Sequence, residues 1–293
     1  MRTLTLTITE AMAGRKVKSI LRRELSMADG LIARIKLRPE GITLNARRCR
    51  TIDTVKPGDI LRVQLGDEPS QSPFAPMNVP LNIVFEDEDI LILDKAPGMA
   101  CHGKAERGEP TLGNALAFYL GQTAAFHPIN RLDKGTSGLM AVAKSGYVHD
   151  LMRRRLHSDA LRREYLLLCS PPPAEKRGLI DLPLARDESS PIKRQVSPDG
   201  AAAQTEYEVL ETHGKLALCR AVLHTGRTHQ IRVHFSAMGC PLVGDWLYGE
   251  ESKLIPRPAL HSALLELAHP ITGETLRFVS PLPEDMAALV EKG

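Results

Sequence analysis

No apolar run in this 293-residue chain approaches the roughly 18 residues needed to cross a bilayer, so no membrane role is expected. Its start, "MRTLTLTITEAMAG", alternates polar and apolar residues and lacks the continuous hydrophobic stretch of a signal peptide. Cysteine is sparse. Cys49, Cys101, Cys169, Cys219 and Cys240 are odd in number and form no CxxC pair. That pattern argues against a disulfide scaffold or a zinc site and for reduced thiols in the cytoplasm. Phosphate-cradling loops are missing too: there is no G-x-x-x-x-G-K-[ST], and no G-x-G-x-x-G follows a strand. Ser137 in "GTSGL" lacks the G-x-S-x-G spacing of a nucleophile elbow. His224, His229 and His234 recur every five residues, but five helical residues rotate about 140°, so neighbours in the series share no face for a metal. The inventory points to chemistry free of cofactor and metal, or to none.

What the chain does have is a hydrophobic fraction of 43%, enough for one large domain with a small appendage. Charge divides unevenly. Residues 1–66 hold 14 Lys and Arg against 6 Asp and Glu, while the remainder holds 24 against 29. A basic small part suggests contact with a polyanion. Residues 67–80, rich in Pro and Ser and without periodicity, read as a flexible linker between a module at 1–66 and a domain at 81–293. In the module, Val17, Ile20, Leu21 and Leu25 share one helical face, and Leu31, Ile32 and Ile35 mark a second short helix. "GITLNA" and "ILRVQL" read as strands.

Beyond the linker, strand patterns occur in "NIVFED", "ILILDK", "GLMAVAK", "EYLLLC", "TEYEVLET", "KLALCRAVLH" and "TLRFVS". Helices are expected near Leu112–Leu120, Tyr147–His157 and Thr228–Met238. Short strands outnumber helices and do not alternate with them, which predicts an α+β fold with a mixed, largely antiparallel sheet. "PPPAEKRG" and "RDESSPIKRQVSPDGAAA" read as exposed loops.

Two stretches carry candidate chemistry. In "INRLDKGTSGLMAVAK", Asp133 lies between Arg131 and Lys134, and neighbouring cations favour an ionised carboxylate. Gly135 and Gly138 would let such a turn approach a substrate closely. In "HTGRTHQIRVHF", Ile231, Phe235 and Met238 should face the core, leaving Arg227 and Arg232 for an anion or a carboxylate from elsewhere in the fold.

Taken together, "NRLDKGTSGLMAVAK", "RREYLLL", "GAAAQTEYEVL", "HTGRTHQIRVHF", "GCPLVGDWLYG" and "LHSALLELAHPITGETLRFVSPLP" resemble the RluA-type pseudouridine synthases, in that family's order. Residues 1–66 similarly resemble the RNA-binding domain named after small-subunit ribosomal protein four. The resemblance implies an isomerase that turns uridine in RNA into pseudouridine without cofactor or metal. Asp133 would be the catalytic carboxylate, attacking the base, attacking the sugar or removing a sugar proton. Arg131 would fill the space left by an everted base, Tyr165 would pack on the flipped uracil, and Arg232 would pair with Asp133. Leu260 and Leu264 match the apolar wall more loosely. Asn130 departs from the histidine that many members carry, and it can hydrogen-bond but not carry charge. Arg227, Arg15, Lys18, Arg22, Arg34, Lys36 and Arg47 are the candidate RNA contacts. The expected partner is RNA, ribosomal before transfer RNA, met by a monomer with no obligate protein partner. The rivals are an RNA-binding protein without catalysis and a hydrolase built on Ser137, for which no local spacing supplies a base.

Overall fold

The computed structural model describes residues 2–65, 74–103, 109–121, 126–155 and 161–292. The N-terminal part contains β1 (Thr3–Thr7), α1 (Val17–Arg23), α2 (Asp29–Ile35), β2 (Ile42–Leu44), β3 (Arg47–Arg48) and β4 (Ile60–Gln64). Its strands form an antiparallel sheet in the order β1-β4-β2-β3. Helices of seven residues do not stand alone in water. Here packing holds them: Val17, Ile20 and Leu21 of α1 and Leu31, Ile32 and Ile35 of α2 are buried with Leu61 and Val63 of β4. Each such side chain contributes about 1.5–3 kcal/mol over exposure.

The rest of the described chain forms β5 (Ile83–Glu86), β6 (Ile90–Lys95), α3 (Leu112–Tyr119), β7 (His127–Pro128), β8 (Ser137–Ala143), α4 (Gly146–Arg155) and β9 (Leu161–Cys169). It continues with β10 (Arg177–Asp181), β11 (Leu184–Arg186), β12 (Arg194–Val196), β13 (Gln204–His213), β14 (Leu216–Leu223) and α5 (Gln230–Ala237). β15 (Leu260–Ala268), β16 (Thr275–Val279) and α6 (Glu284–Lys292) complete it. Ten of these strands make one sheet with the path β10-β13-β14-β9-β15-β8-β6-β5, β16 joining β15 and β7 joining β8. β8 and β15 run parallel; the other pairings in this sheet are antiparallel. The fold is α+β with a mixed, largely antiparallel sheet, as expected.

The core does not stop at the module. Ile90, Ile92, Leu265 and Leu267 of the large sheet belong to the same buried cluster as α1 and α2. Tyr147 Oη donates to Leu25 O at 2.8 Å, Arg154 Nη1 to Ser26 O at 3.1 Å, and Arg2 pairs with the buried Asp89. The expected linker falls in large part on 66–73, outside the described residues. Its remainder is pinned: Phe74 meets Phe126 edge-on, and Asn114 Nδ2 donates to Ala75 O at 2.8 Å.

The parallel junction of β8 and β15 positions the loop bearing Asp133, and it depends on one glycine. Gly138 has φ +105°, and a Cβ there would lie 2.3 Å from Ser262 O on β15. At Gly135 a Cβ would lie 2.9 Å from Pro258 Cδ. Both glycines are therefore required by internal packing. Among the described residues no helix is long and apolar enough to cross a membrane. Several elements differ from the sequence reading: β7, β10 and α6 were not expected, and β10 begins in the expected loop "PPPAEKRG". The "RDESSPIKR" region holds the short β11–β12 hairpin, and β15 was not among the expected strands.

Candidate active site

Asp133 lies in the link from β7 to β8, and every neighbour of that link is tied down. Ile129 N donates to Ala141 O at 2.8 Å, and Asn130 Oδ1 accepts Ala141 N–H at 2.8 Å. The amide at position 130 thus satisfies a strand edge, a task that needs no charge. Buried Lys95 donates through Nζ to Ala96 O, Met99 O and Lys134 O at 2.8, 3.0 and 3.4 Å, clamping the loop from below. Burial lowers the Lys95 pKa to about 8.

The cations beside Asp133 in sequence are not its partners in space. Arg131 Nη1 meets His102 Nε2 at 3.1 Å, and Lys134 Nζ meets Glu109 at 2.6 Å. Instead Arg232, 99 positions along on α5, brings Nη1 to 3.4 Å from Asp133 Oδ2. Arg232 is 5% exposed and fully committed. Its Nε and Nη2 make a bidentate pair with buried Asp245, both at 2.7 Å, and its guanidinium lies 5.0 Å from the Tyr248 ring centre. Burial opposes the charge of Arg232, yet the bonds to Asp245 and the proximity of Asp133 outweigh it and raise its pKa. One arginine edge is fixed by Asp245, which frees the other to orient Asp133.

His229 is the second group beside Asp133, with Nε2 3.9 Å from Oδ2. It caps α5 in the left-handed region, φ 59°, a conformation that costs a non-glycine residue about 1 kcal/mol or more. Its Nδ1 lies 2.8 Å from Tyr248 Oη, which also accepts Arg194 N–H at 2.8 Å. Having accepted Arg194 N–H, the tyrosine can donate its O–H to Nδ1, the arrangement that puts the imidazole proton on Nε2, facing Asp133. Burial lowers the imidazole pKa and favours this neutral form.

Asp133, Arg131, Tyr165, Arg227 and Arg232 all line one cleft of about 760 Å³, together with Leu260. Leu264 does not line it. Tyr165 is buried on β9, and burial pushes its phenol pKa up. Arg227 Nε donates to Ala202 O at 3.1 Å. Further arginines at the cleft include Arg153, Arg163, Arg186 and Arg194. The histidine series disperses: exposed His224 meets Glu206, and buried His234 bonds to Thr205 Oγ1 and Leu182 O. Ser137 does find a base through the fold, His261 Nδ1 at 3.0 Å, but both residues are buried and neither lines the cleft.

On the N-terminal module the candidate contacts split in two. Arg15 pairs with Glu24 at 2.9 Å, and Lys18 and Arg22 share Asp29 at 3.2 and 3.8 Å. Arg34, Lys36 and Arg47 are exposed and form no ion pair among the described residues. Sequence reasoning passed over Asp245, His229, Tyr248 and Arg163 as functional residues. Each stood inside a quoted motif, and only the pairing of distant segments marks it.

Residues 89–237 match the family model described as RNA pseudouridylate synthase. An uncharacterised RNA pseudouridine synthase of Bacillus subtilis, YjbO, is 35% identical over 92% of this chain and 96% of its own length. The ribosomal large subunit pseudouridine synthase D of Nitrosomonas europaea is 34% identical over 99% and 87%. Among solved structures, human RNA pseudouridylate synthase domain containing 4 superposes with a TM-score of 0.58 at 23% identity, over 72% of this chain and 92% of that one. With a family match over half its length and relatives of this identity along nearly all of it, the chain belongs to the RluA-type RNA pseudouridine synthases, isomerases that act on RNA.

Proposed function

We propose that this enzyme isomerises specific uridines of large-subunit ribosomal RNA, with Asp133 as the catalytic carboxylate acting on a nucleotide everted into the cleft. The observation that carries the reading is Asp133 held 3.4 Å from the buried, Asp245-anchored Arg232 in a cleft lined by Tyr165 and several arginines. The reaction breaks C1′–N1, forms C1′–C5, moves a proton from C5 to bulk and returns one to N1. It has no net redox change. An ionised carboxylate held by a fixed guanidinium suits this work, whichever of base attack, sugar attack or proton removal applies.

Stacked bases hide C5 and C1′, so the target has to leave the helix. Arg131 occupies the vacated space and Tyr165 packs on the uracil. Residues 1–66 act as an RNA-binding module, packed against the large sheet, through Arg15, Lys18, Arg22, Arg34, Lys36 and Arg47, with Arg227 adding a contact at the cleft. The protein works as a monomer. The ribosomal assignment draws on the printed activity of relatives such as the Nitrosomonas enzyme.

The test is pseudouridine mapping of ribosomal and transfer RNA incubated with the wild type and with Asp133→Asn. The expected result is modification of ribosomal RNA that falls by about 10⁴-fold or more in the variant while binding persists. Modification surviving in the variant would overturn the role of Asp133, modification confined to transfer RNA would overturn the substrate, and binding without any isomerisation would favour the non-catalytic rival.

A further inference from the structure

One buried arginine of the cleft, Arg163, has no counter-ion among the described residues. Arg163 stands on β9 two residues before Tyr165 and is only 4% exposed, yet its Nε is enclosed with no hydrogen-bond partner among the described residues. Glu164, between the two, is committed to Arg162 and Arg220. The other buried arginines of the described chain are treated differently: Arg232 has a bidentate Asp245 and Arg257 a bidentate Asp285. An unpaired interior charge costs several kcal/mol, so a fold tolerates one where a partner arrives from outside.

Two further observations place that partner in the cleft. Arg163 lines it, and so does Asn130, whose enclosed Nδ2 has no partner among the described residues. Gly226, at the head of the Gly226–His229 turn, makes room: a Cβ there would lie 2.9 Å from Arg163 Nη1. The glycine that opens the "GRTHQIR" segment thus leaves space for a guanidinium.

We propose, resting on the reading of the cleft as an RNA site, that Arg163 binds a backbone phosphate of the everted nucleotide. A permanent cation calls for a permanent counter-charge. A phosphodiester carries one at every working pH, and two of its oxygens match the planar N–H fork of arginine. A uracil carbonyl is neutral until the glycosidic bond breaks. Rim cations lose their pull as salt rises; a contact this deep is screened far less.

The test uses Arg163→Met and Arg163→Lys in the full chain. Free Arg163→Met is expected to melt no lower than the wild type, because it removes an unpaired buried charge. Inorganic phosphate at constant ionic strength is expected to raise the wild-type melting temperature more than that of Arg163→Met. On an RNA with a mapped target, Arg163→Met is expected to bind at least about tenfold more weakly. One neutral methylphosphonate beside the target uridine should cost the wild type a similar factor and cost the variant nothing. Arg163→Lys should recover part of the affinity. A variant that melts several degrees lower and adds its loss to that of every methylphosphonate would make Arg163 a structural residue and overturn the proposal. Coupling to 4-thiouridine in place of coupling to any phosphate would move the contact to the base and overturn it equally. RNA that is never modified would sink the functional reading alone, since the melting and phosphate comparisons stand without turnover.

Discussion

The N-terminal module and the cleft are both rich in cations, but they hold them in opposite ways. The module carries Arg34, Lys36 and Arg47 on its surface, facing water. The cleft sits in the part of the chain with more acidic than basic residues, and two of its arginines, Arg163 and Arg232, are buried. There, the carboxylate–arginine contacts have a direction: buried Asp245 fixes Arg232, and Arg232 orients the half-buried Asp133. Net charge by segment therefore identifies a surface suited to attract a polyanion from a distance. It says nothing of where charge is concentrated to do chemistry, because an interior cation such as Arg232 arrives with its own anion, Asp245, and the two cancel in the sum.

The largest effect that would sharpen this contrast is expected from Asp245→Ala. It strands a buried guanidinium, which costs roughly 3–5 kcal/mol. Arg232 would also lose the anchor that leaves Nη1 for Asp133. Denaturant unfolding should show that loss, and turnover should fall further than the unfolded fraction explains. A full-activity variant of wild-type stability would mean that the cleft's ion pairs are as dispensable as those at the surface.

The next effect is set by histidine, which the module lacks altogether. In the catalytic part burial lowers the pKa of His149, His229, His234 and His261. As pH drops below about 6.5, the unfolded chain protonates these imidazoles while the folded one resists. Folding stability is therefore lost from about pH 6.5 downwards, until the lowered folded values are passed. Hydrogen exchange at mildly acidic pH should expose α5 and β15, which carry His229, His234 and His261, before α1 and α2. Simultaneous exposure, or stability unchanged between neutral and mildly acidic pH, would show that the two parts do not differ in this way.

The same contrast explains what was readable in the sequence. Amphipathic elements on one face of a sheet or helix were legible, as with α1, α2 and β4, because their apolar spacing is periodic. β15 was not, since six successive residues from Leu260 to Leu265 are buried and period two disappears. The motif around Asp133 was legible as a pattern, but its electrostatics were not. Arg131 and Lys134 turn away to His102 and Glu109, and the real partner comes from a helix 99 residues distant. Asp245 and Arg163 were hidden for a related reason: a buried charge looks like any other charge until its surroundings are known.

The smallest effect separates two kinds of cation within the module itself. Neutralising Arg34, Lys36 and Arg47 together should leave stability within about 0.5 kcal/mol, since exposed side chains without partners support little of the fold. Each of the three that meets a phosphate should remove about 0.7–0.9 from the slope of log affinity against log salt. Neutralising Arg15, Lys18 and Arg22 should change that slope less, because Glu24 and Asp29 already hold these cations and must be vacated before RNA can. The cost of vacating them is modest, of order 0–1 kcal/mol per exposed pair, so the two triplets should differ by a small but resolvable amount. Salt titrations of both triplets on one RNA decide the matter. Equal slopes would mean that pairing on the module surface does not gate RNA contact, and that the difference between its charges and those of the cleft is one of burial alone.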